Sequence, residues 1–146
     1  MRAVLTGVAV AGAAAGAGWW VLRRGFVVVA VSGESMLPTF RPGDRVLVRR
    51  RPLHRVRRGQ VVVLAPPAEL RALPGNPPWL IKRAVALPGD PLPAGVGTPA
   101  GHRGDRVPPG RFVVLGDNAG HSYDSRRAGA FPAGSLLGVV LRVVRH

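Results

Sequence analysis

The chain has 146 residues, enough for one modest domain and a short additional segment. It contains no cysteine, which excludes a disulfide framework and thiolate chemistry. The net charge of +14 comes almost entirely from arginine, because all but one of the 21 basic residues are arginines. Apart from clusters at residues 49–51 and 55–58, these arginines are dispersed, and they lack an interleaved aromatic platform, so they do not indicate specific nucleic-acid binding. A basic face beside anionic lipid headgroups is the favoured use of this charge.

An uncharged stretch at residues 3–22 opens the chain, with Thr6 as its only polar side chain. As a helix, about twenty residues span roughly 30 Å, the hydrocarbon thickness of a bilayer. Trp19 and Trp20 suit a membrane interface, and Arg23 ends the stretch. The sequence therefore predicts a single transmembrane anchor over residues 1–24. A cleaved signal peptide is the alternative, and the flanking charges do not determine which way the anchor is oriented.

Residues 25–146 are predicted to form one mainly β domain, since no segment there sustains a helical period. Apolar or alternating runs separated by Gly and Pro turns predict strands at residues 26–31, 45–48, 60–65, 79–87, 111–115 and 136–144. Residues 91–110 are rich in Gly and Pro and indicate an exposed connection.

Ser35 lies where the first predicted strand runs into a turn closed by Pro38. A hydroxyl at such a position can project from the end of the strand, with backbone N–H groups near enough to receive an oxyanion. Taken alone, Ser35 is equally well explained as a helix-capping or turn serine.

Lys82 is the only lysine, and it lies inside the mostly apolar run at residues 79–87. Arginine cannot act as a base, whereas burial can depress the pKa of a lysine amine enough for it to accept a proton. The sequence thus places its one candidate amine base within a strand. The alternative is a lysine whose stem packs on the strand while its head reaches water.

A third polar segment, residues 116–126, carries Asp117, Asn118, Ser122, Asp124 and Arg126. It could be a structural turn alone. Of the histidines, only the one at position 121 lies near other polar groups, so a Ser-His-Asp triad is poorly supported. The sequence has no metal-ligand motif, and no metal or cofactor is predicted.

Together the three segments resemble the signal peptidase I family. GESMLPTF at residues 33–40 resembles its serine motif, IKRAVALPGD at residues 81–90 its lysine motif, and GDNAGHSYDSR at residues 116–126 its third motif. They occur in the family's order, behind an apolar segment. The resemblance implies a coiled β-sheet domain preceded by one transmembrane helix, on the extracytoplasmic face of the plasma membrane. It also implies removal of signal or leader peptides from exported precursors, after small residues such as Ala-x-Ala.

The resemblance further implies a role for each motif residue. Ser35 would be the nucleophile and Lys82 the general base. Ser122 would donate a hydrogen bond that orients the lysine amine, and Asp124 with Arg126 would form a supporting ion pair. Asp117 and Asn118 would shape the adjacent turn.

One departure concerns the oxyanion. Many bacterial members have a serine two residues before the nucleophile, where this chain has Gly33. In this respect the chain is more similar to the mitochondrial inner-membrane branch. The Ser35 N–H is then one candidate donor, and the Ser32 hydroxyl is a second candidate.

Two other classes of function stay open at the level of sequence. A self-cleaving repressor-type Ser/Lys peptidase would use related chemistry, but it should begin with a DNA-binding helix pair rather than an apolar stretch. A membrane-tethered basic β module would bind lipid, nucleic acid or a partner and use Ser35 and Lys82 only structurally.

Overall fold

The computed structural model of the chain describes residues 25–97 and 104–144. Seven strands account for most of the regular structure: β1 (Phe26–Ala30), β2 (Arg45–Arg50), β3 (Val61–Leu64), β4 (Leu80–Ala86), β5 (Arg111–Leu115), β6 (Phe131–Pro132) and β7 (Leu136–Val144). Two short helices, α1 (Ala68–Arg71) and α2 (Ser125–Ala128), and three single 3-10 turns at Leu53–Arg55, Ala119–His121 and Ala133–Ser135 lie between them.

All seven strands join one antiparallel sheet in the order β1-β2-β7-β3-β4-β5-β6. The long last strand β7 is therefore inserted between β2 and β3, so the two halves of the chain share one sheet. Where β2 meets β7 the strands approach very closely at Gly138. A Cβ on Gly138 would lie 2.9 Å from the Arg50 Cα and nearer still to the Arg49 backbone, so only glycine fits there.

The sheet is packed on both faces, and β3 shows why. All four of its residues are buried; Val61 and Val63 belong to one apolar cluster, and Val62 and Leu64 to another. A strand covered on both faces has a continuous apolar run instead of alternation, as the sequence VVVL has. Lys82 of β4 pairs directly with Val62, which places it beside this central strand.

The prediction of a mainly β domain is confirmed, since each predicted strand corresponds to an observed one. The two-residue strand β6 was not predicted, because a pair of residues carries no periodicity. The described part of the connection at residues 91–110 is not exposed throughout, as it was predicted to be. Pro91 and Arg106 form a β bridge, and Val107 is buried beside Val113 and Ala130.

Among residues 25–97 and 104–144, no helix has the length and apolar character needed to cross a membrane. The anchor predicted for residues 1–24 lies outside the described residues.

Candidate active site

Ser35 lies in the loop that joins β1 to β2. The base of the loop is closed by two backbone hydrogen bonds, Val31 N–H to Asp44 O at 2.8 Å and Gly43 N–H to Val31 O at 2.9 Å. Gly43 adopts a φ of 93°, which explains the glycine in this turn. Next to Ser35, the Met36 side chain is 1% exposed and packs in the main apolar cluster. The buried methionine anchors the loop, while Ser35 stays half-buried at its surface.

Lys82 reaches Ser35 from the middle of β4. Its Nζ donates a hydrogen bond of 2.6 Å to the Ser35 Oγ, although the two residues are 47 positions apart. Its side chain is 3% exposed. Desolvation by this burial lowers the pKa of Lys82 to about 8, and the negative charge of Asp124 offsets part of that effect. A substantial fraction of the amine is therefore neutral at mildly alkaline pH, as a base requires.

The third polar segment holds the backbone on both sides of the nucleophile. Asn118 N–H donates to the Ser35 carbonyl at 2.9 Å, and its side-chain amide donates to the Glu34 carbonyl at 3.1 Å. Gly116 packs so tightly here that a Cβ would lie 2.7 Å from the Ser35 carbonyl oxygen and also overlap Ser122. These contacts set the position of Ser35 relative to the end of β5.

Asp124 and Arg126 form the ion pair that the resemblance implies. The guanidinium donates through Nε at 3.0 Å and through Nη2 at 2.6 Å to the two carboxylate oxygens. Asp124 is fully buried and also accepts the Gly116 N–H at 2.9 Å. Burial alone would raise the pKa of Asp124, but the hydrogen bonds from Arg126 and Gly116 outweigh it and hold that pKa below its ordinary value. The carboxylate thus stays charged and fixes the residues around Lys82.

Ser122 does not make the hydrogen bond expected of it. Its Oγ is buried and has no hydrogen-bond partner among the described residues, so the bond to Lys82 is not formed in this structure. Ser122 lies close enough to the Asp124 carboxylate to help lower the pKa of that group, but its Oγ makes no well-formed hydrogen bond to Asp124 or to Lys82.

Asp117 organises a second network that sequence reasoning did not assign. Arg83, next to Lys82 on β4, donates to both Asp117 oxygens at 2.9 and 2.7 Å, and the Thr39 hydroxyl donates to the same carboxylate. The hydrogen bonds from Arg83, and then from Thr39, lower the pKa of Asp117 even though burial opposes the shift. One carboxylate therefore joins the serine loop to the lysine strand. Acidic residues are rare in this sequence, which marks Asp117 as a candidate for a specific interaction. Rarity does not indicate that Arg83 and Thr39 are the residues it binds.

The candidate oxyanion donors lie where the loop meets solvent. No described residue accepts a hydrogen bond from the Ser35 backbone N–H, which leaves that donor available. Ser32 is exposed and lines the same cavity as Ser35 and Lys82. Gly33 has open space at the position of a Cβ, but its φ of 78° strains any other residue. The glycine is thus explained by backbone conformation rather than by crowding.

Ser35 and Lys82 line a cavity of about 220 Å³, together with His121, Tyr123 and other residues. His121 therefore lines the same cavity as Ser35, but the hydrogen-bond partner of Ser35 is the lysine amine. Within the described part of the chain, no group of three or more His, Asp or Glu side chains could hold a metal ion.

The Asp124 ion pair is expected to contribute strongly to stability. Asp124→Ala leaves the Gly116 N–H and the Arg126 guanidinium without their acceptor, and we expect it to lower the free energy of unfolding by about 2 to 4 kcal/mol at pH 7. Urea denaturation followed by circular dichroism measures this. Because the folded-state pKa is depressed, the contribution is present above the ordinary carboxyl pKa and disappears as the pH falls below it.

Arg58→Ala provides the matched control. It removes the exposed 3.6 Å pair of Arg58 with Asp90, and it should change the free energy of unfolding by no more than about 0.5 kcal/mol. Equal losses in the two variants would contradict a special contribution from Asp124.

A serine hydroxyl bound by a buried amine of lowered pKa defines a serine hydrolase site that needs no histidine. Comparison with known proteins agrees with this class. The family described as signal peptidase, peptidase S26, matches residues 2–94 and 95–144. The chain therefore belongs to the signal peptidase family and is a serine endopeptidase.

Individual relatives come from bacteria and from mitochondria. The chain is 32% identical to signal peptidase I of Leptolyngbya laminosa, with 79% of this chain and 68% of that protein covered. It is 34% identical to the probable signal peptidase I-2 of Synechocystis, with 79% of this chain and 62% of that protein covered. It is also 32% identical to mitochondrial inner membrane protease subunit 1 of Schizosaccharomyces pombe, with 83% and 75% covered. The chain thus spans about two thirds of the length of the first two relatives.

Proposed function

We propose that this protein removes N-terminal signal or leader peptides from exported precursors by a Ser/Lys acyl-enzyme mechanism. The observation that carries the proposal is the 2.6 Å contact between Ser35 Oγ and the buried Lys82 amine, whose pKa is lowered to about 8. Membership of the signal peptidase family supports the substrate class.

The first half of the reaction forms an ester to the enzyme. The Ser35 Oγ attacks the carbonyl carbon of the scissile peptide bond while its proton passes to neutral Lys82 Nζ. The Ser35 N–H stabilises the resulting oxyanion, with the Ser32 hydroxyl as the candidate second donor. The tetrahedral intermediate then collapses, the C–N bond breaks, and the leaving amine takes the proton from Lys82.

The second half returns the enzyme to its starting state. Neutral Lys82 removes a proton from a water molecule, which attacks the ester carbonyl, and Ser35 leaves as its proton is restored. In this scheme Asn118 holds the Ser35 backbone, and Asp124 with Arg126 holds the segment around the lysine. Ser122 orients the amine after rotating toward it, a movement that its unpartnered hydroxyl permits.

Membrane association is the second part of the proposal. Residues 1–24 would provide a single-pass anchor, and residues 25–146 would form the catalytic domain on the extracytoplasmic face of the plasma membrane. The apolar stretch at residues 3–22 supports this, as does the similarity to a mitochondrial inner membrane protease subunit. The partners are signal-peptide-bearing precursors and the lipid bilayer, without specific nucleic acid and without a cofactor.

The test uses the full chain purified in detergent and precursors with an Ala-x-Ala boundary. We expect a single cut after the second alanine, read by mass spectrometry of the product termini. Ser35→Ala, which keeps the fold and removes the nucleophile, should yield no product above background. A cut of equal rate with Ser35→Ala would contradict the proposal.

A further inference from the structure

The cavity of the Ser/Lys pair adjoins two larger ones, through different lining residues. It shares Ser32 and Pro77 with a cavity of about 400 Å³ beside β1. On another side it shares Pro66 with a cavity of about 440 Å³ between the end of β3 and β6. A peptide crossing the pair in an extended conformation would therefore have one cavity available on each side of its scissile bond.

The two outer cavities differ in chemistry. The cavity beside β1 is lined mostly by apolar residues, among them Val28, Pro78 and Trp79, and by no charged residue. The cavity beside β6, here called the arginine cavity, is lined by the two cations Arg71 and Arg111 and by no acidic residue. Helix α1 lies between the arginine cavity and the cavity of the Ser/Lys pair. Its residue Leu70 lines the cavity of the pair, and the next residue, Arg71, lines the arginine cavity.

The positive charges of Arg71 and Arg111 are available to bind a ligand. Neither forms an ion pair with an acidic residue in the described part of the chain. Arg111 donates one hydrogen bond, from Nη1 to the carbonyl of the lining residue Ala130 at 3.1 Å, which uses one of its five donors. Both are exposed at the surface. Glu69 lies on the same helix as Arg71 but does not line the cavity.

We propose that the arginine cavity binds an acidic side chain of the precursor, located among the first residues after the scissile bond. The inference rests on the proposed function, since it assigns a specificity site to the same reaction. An apolar signal peptide matches the uncharged cavity beside β1, which leaves the arginine cavity to the released, mature side of the precursor. Arg71 and Arg111 are then specificity-determining residues that select carboxylate side chains over neutral or basic ones.

The size of the effect follows from the exposure of both arginines. Exposed ion pairs are weak and are screened by salt, so we expect about a fivefold preference at low ionic strength and a smaller one at high salt.

The experiment compares three peptides that share one Ala-x-Ala boundary and differ only at the second to fifth residues after it, which are Glu, Gln or Lys. With the wild-type chain, kcat/KM should be about fivefold higher for the Glu peptide than for the Gln peptide, and lowest for the Lys peptide. Arg71→Gln should reduce this preference, and Arg71→Gln with Arg111→Gln should abolish it, so that the Glu and Gln peptides are cleaved at equal rates. Arg142→Gln, an exposed arginine on β7 that lines neither cavity, makes the same change of charge and should keep the full preference.

Binding provides a readout that does not depend on cleavage. In the Ser35→Ala background, fluorescence anisotropy should show tighter binding of the Glu peptide, and the arginine substitutions should remove the difference. Equal binding of the Glu and Gln peptides, or a preference that survives the double substitution, would overturn the inference. If no peptide is cleaved by the wild type but the Glu peptide still binds preferentially, the proposed function fails and the arginine cavity stands.

Discussion

Lys82→Arg is expected to reduce kcat/KM for a precursor peptide by at least about a thousandfold, while the domain stays folded. Arginine keeps the positive charge and can donate to Ser35 Oγ, but its pKa above 12 prevents it from accepting the serine proton. General base catalysis is typically worth 10² to 10⁴ in rate, and here the same group would serve both halves of the reaction. Cleavage assays under kcat/KM conditions measure the loss, with circular dichroism reporting the fold.

Lys82→Met completes this comparison because it removes the amine and keeps an unbranched chain at a site that is 3% exposed. It should be as inactive as Lys82→Arg, and its resistance to urea at pH 7 should equal or exceed that of the wild type, because no ammonium then has to be desolvated. Retention of more than a tenth of the wild-type activity in Lys82→Arg would remove the lysine from the role of base.

Cleavage should rise with pH along a single ionisation near pH 8. The base must be neutral, and burial has lowered the pKa of Lys82 to about 8, so about half of the enzyme is competent at that pH. At pH 6 only about one molecule in a hundred carries the neutral amine, and kcat/KM should be about a hundredfold below its plateau. A peptide without groups that titrate between pH 5 and 9 isolates this effect.

Asp124→Asn tests how far a neighbouring charge opposes the lowering of the Lys82 pKa by burial. The charge of Asp124 raises the pKa of Lys82, so its removal should move the midpoint of the profile to lower pH, provided that the variant is still folded. For the wild-type enzyme, a kcat/KM that stays constant from pH 6 to 9, or that falls as the pH rises through 8, would contradict a lysine base.

Most strands and the candidate base follow from local sequence, whereas Ser35 is singled out only together with the other two motifs. Alternating and apolar runs bounded by Gly and Pro turns are short-range signals, so β1 to β5 and β7 were predictable. Lys82 stands out because a lone lysine in an arginine-rich chain lies within an apolar strand. The two-residue strand β6 and the burial of Val107 were not predictable, because both depend on partners distant in sequence.

The residues around Ser35 and Lys82 were also predictable only in part: their identities follow from the motifs, but their contacts do not. The resemblance named Asp117, Asn118, Asp124 and Arg126, but it did not identify Arg83 and Thr39 as the groups that bind Asp117. It also implied a bond from Ser122 to Lys82, and the structure shows an unpartnered hydroxyl instead. The rotamer of a serine side chain depends on the groups packed around it in the folded protein. The order of motifs along the chain therefore could not determine which way the Ser122 hydroxyl points.

By itself, then, the sequence determined the strand content, the candidate nucleophile and base, and their family. The tertiary structure alone decided that Ser35 and Lys82 meet at 2.6 Å, that the amine is buried enough to lose protons near pH 8, and that two arginines line the next cavity. The physical reason is that residue type and spacing act locally along the chain. Distance, desolvation and neighbouring charge arise only when β4, the serine loop and the end of β5 are brought together in one sheet.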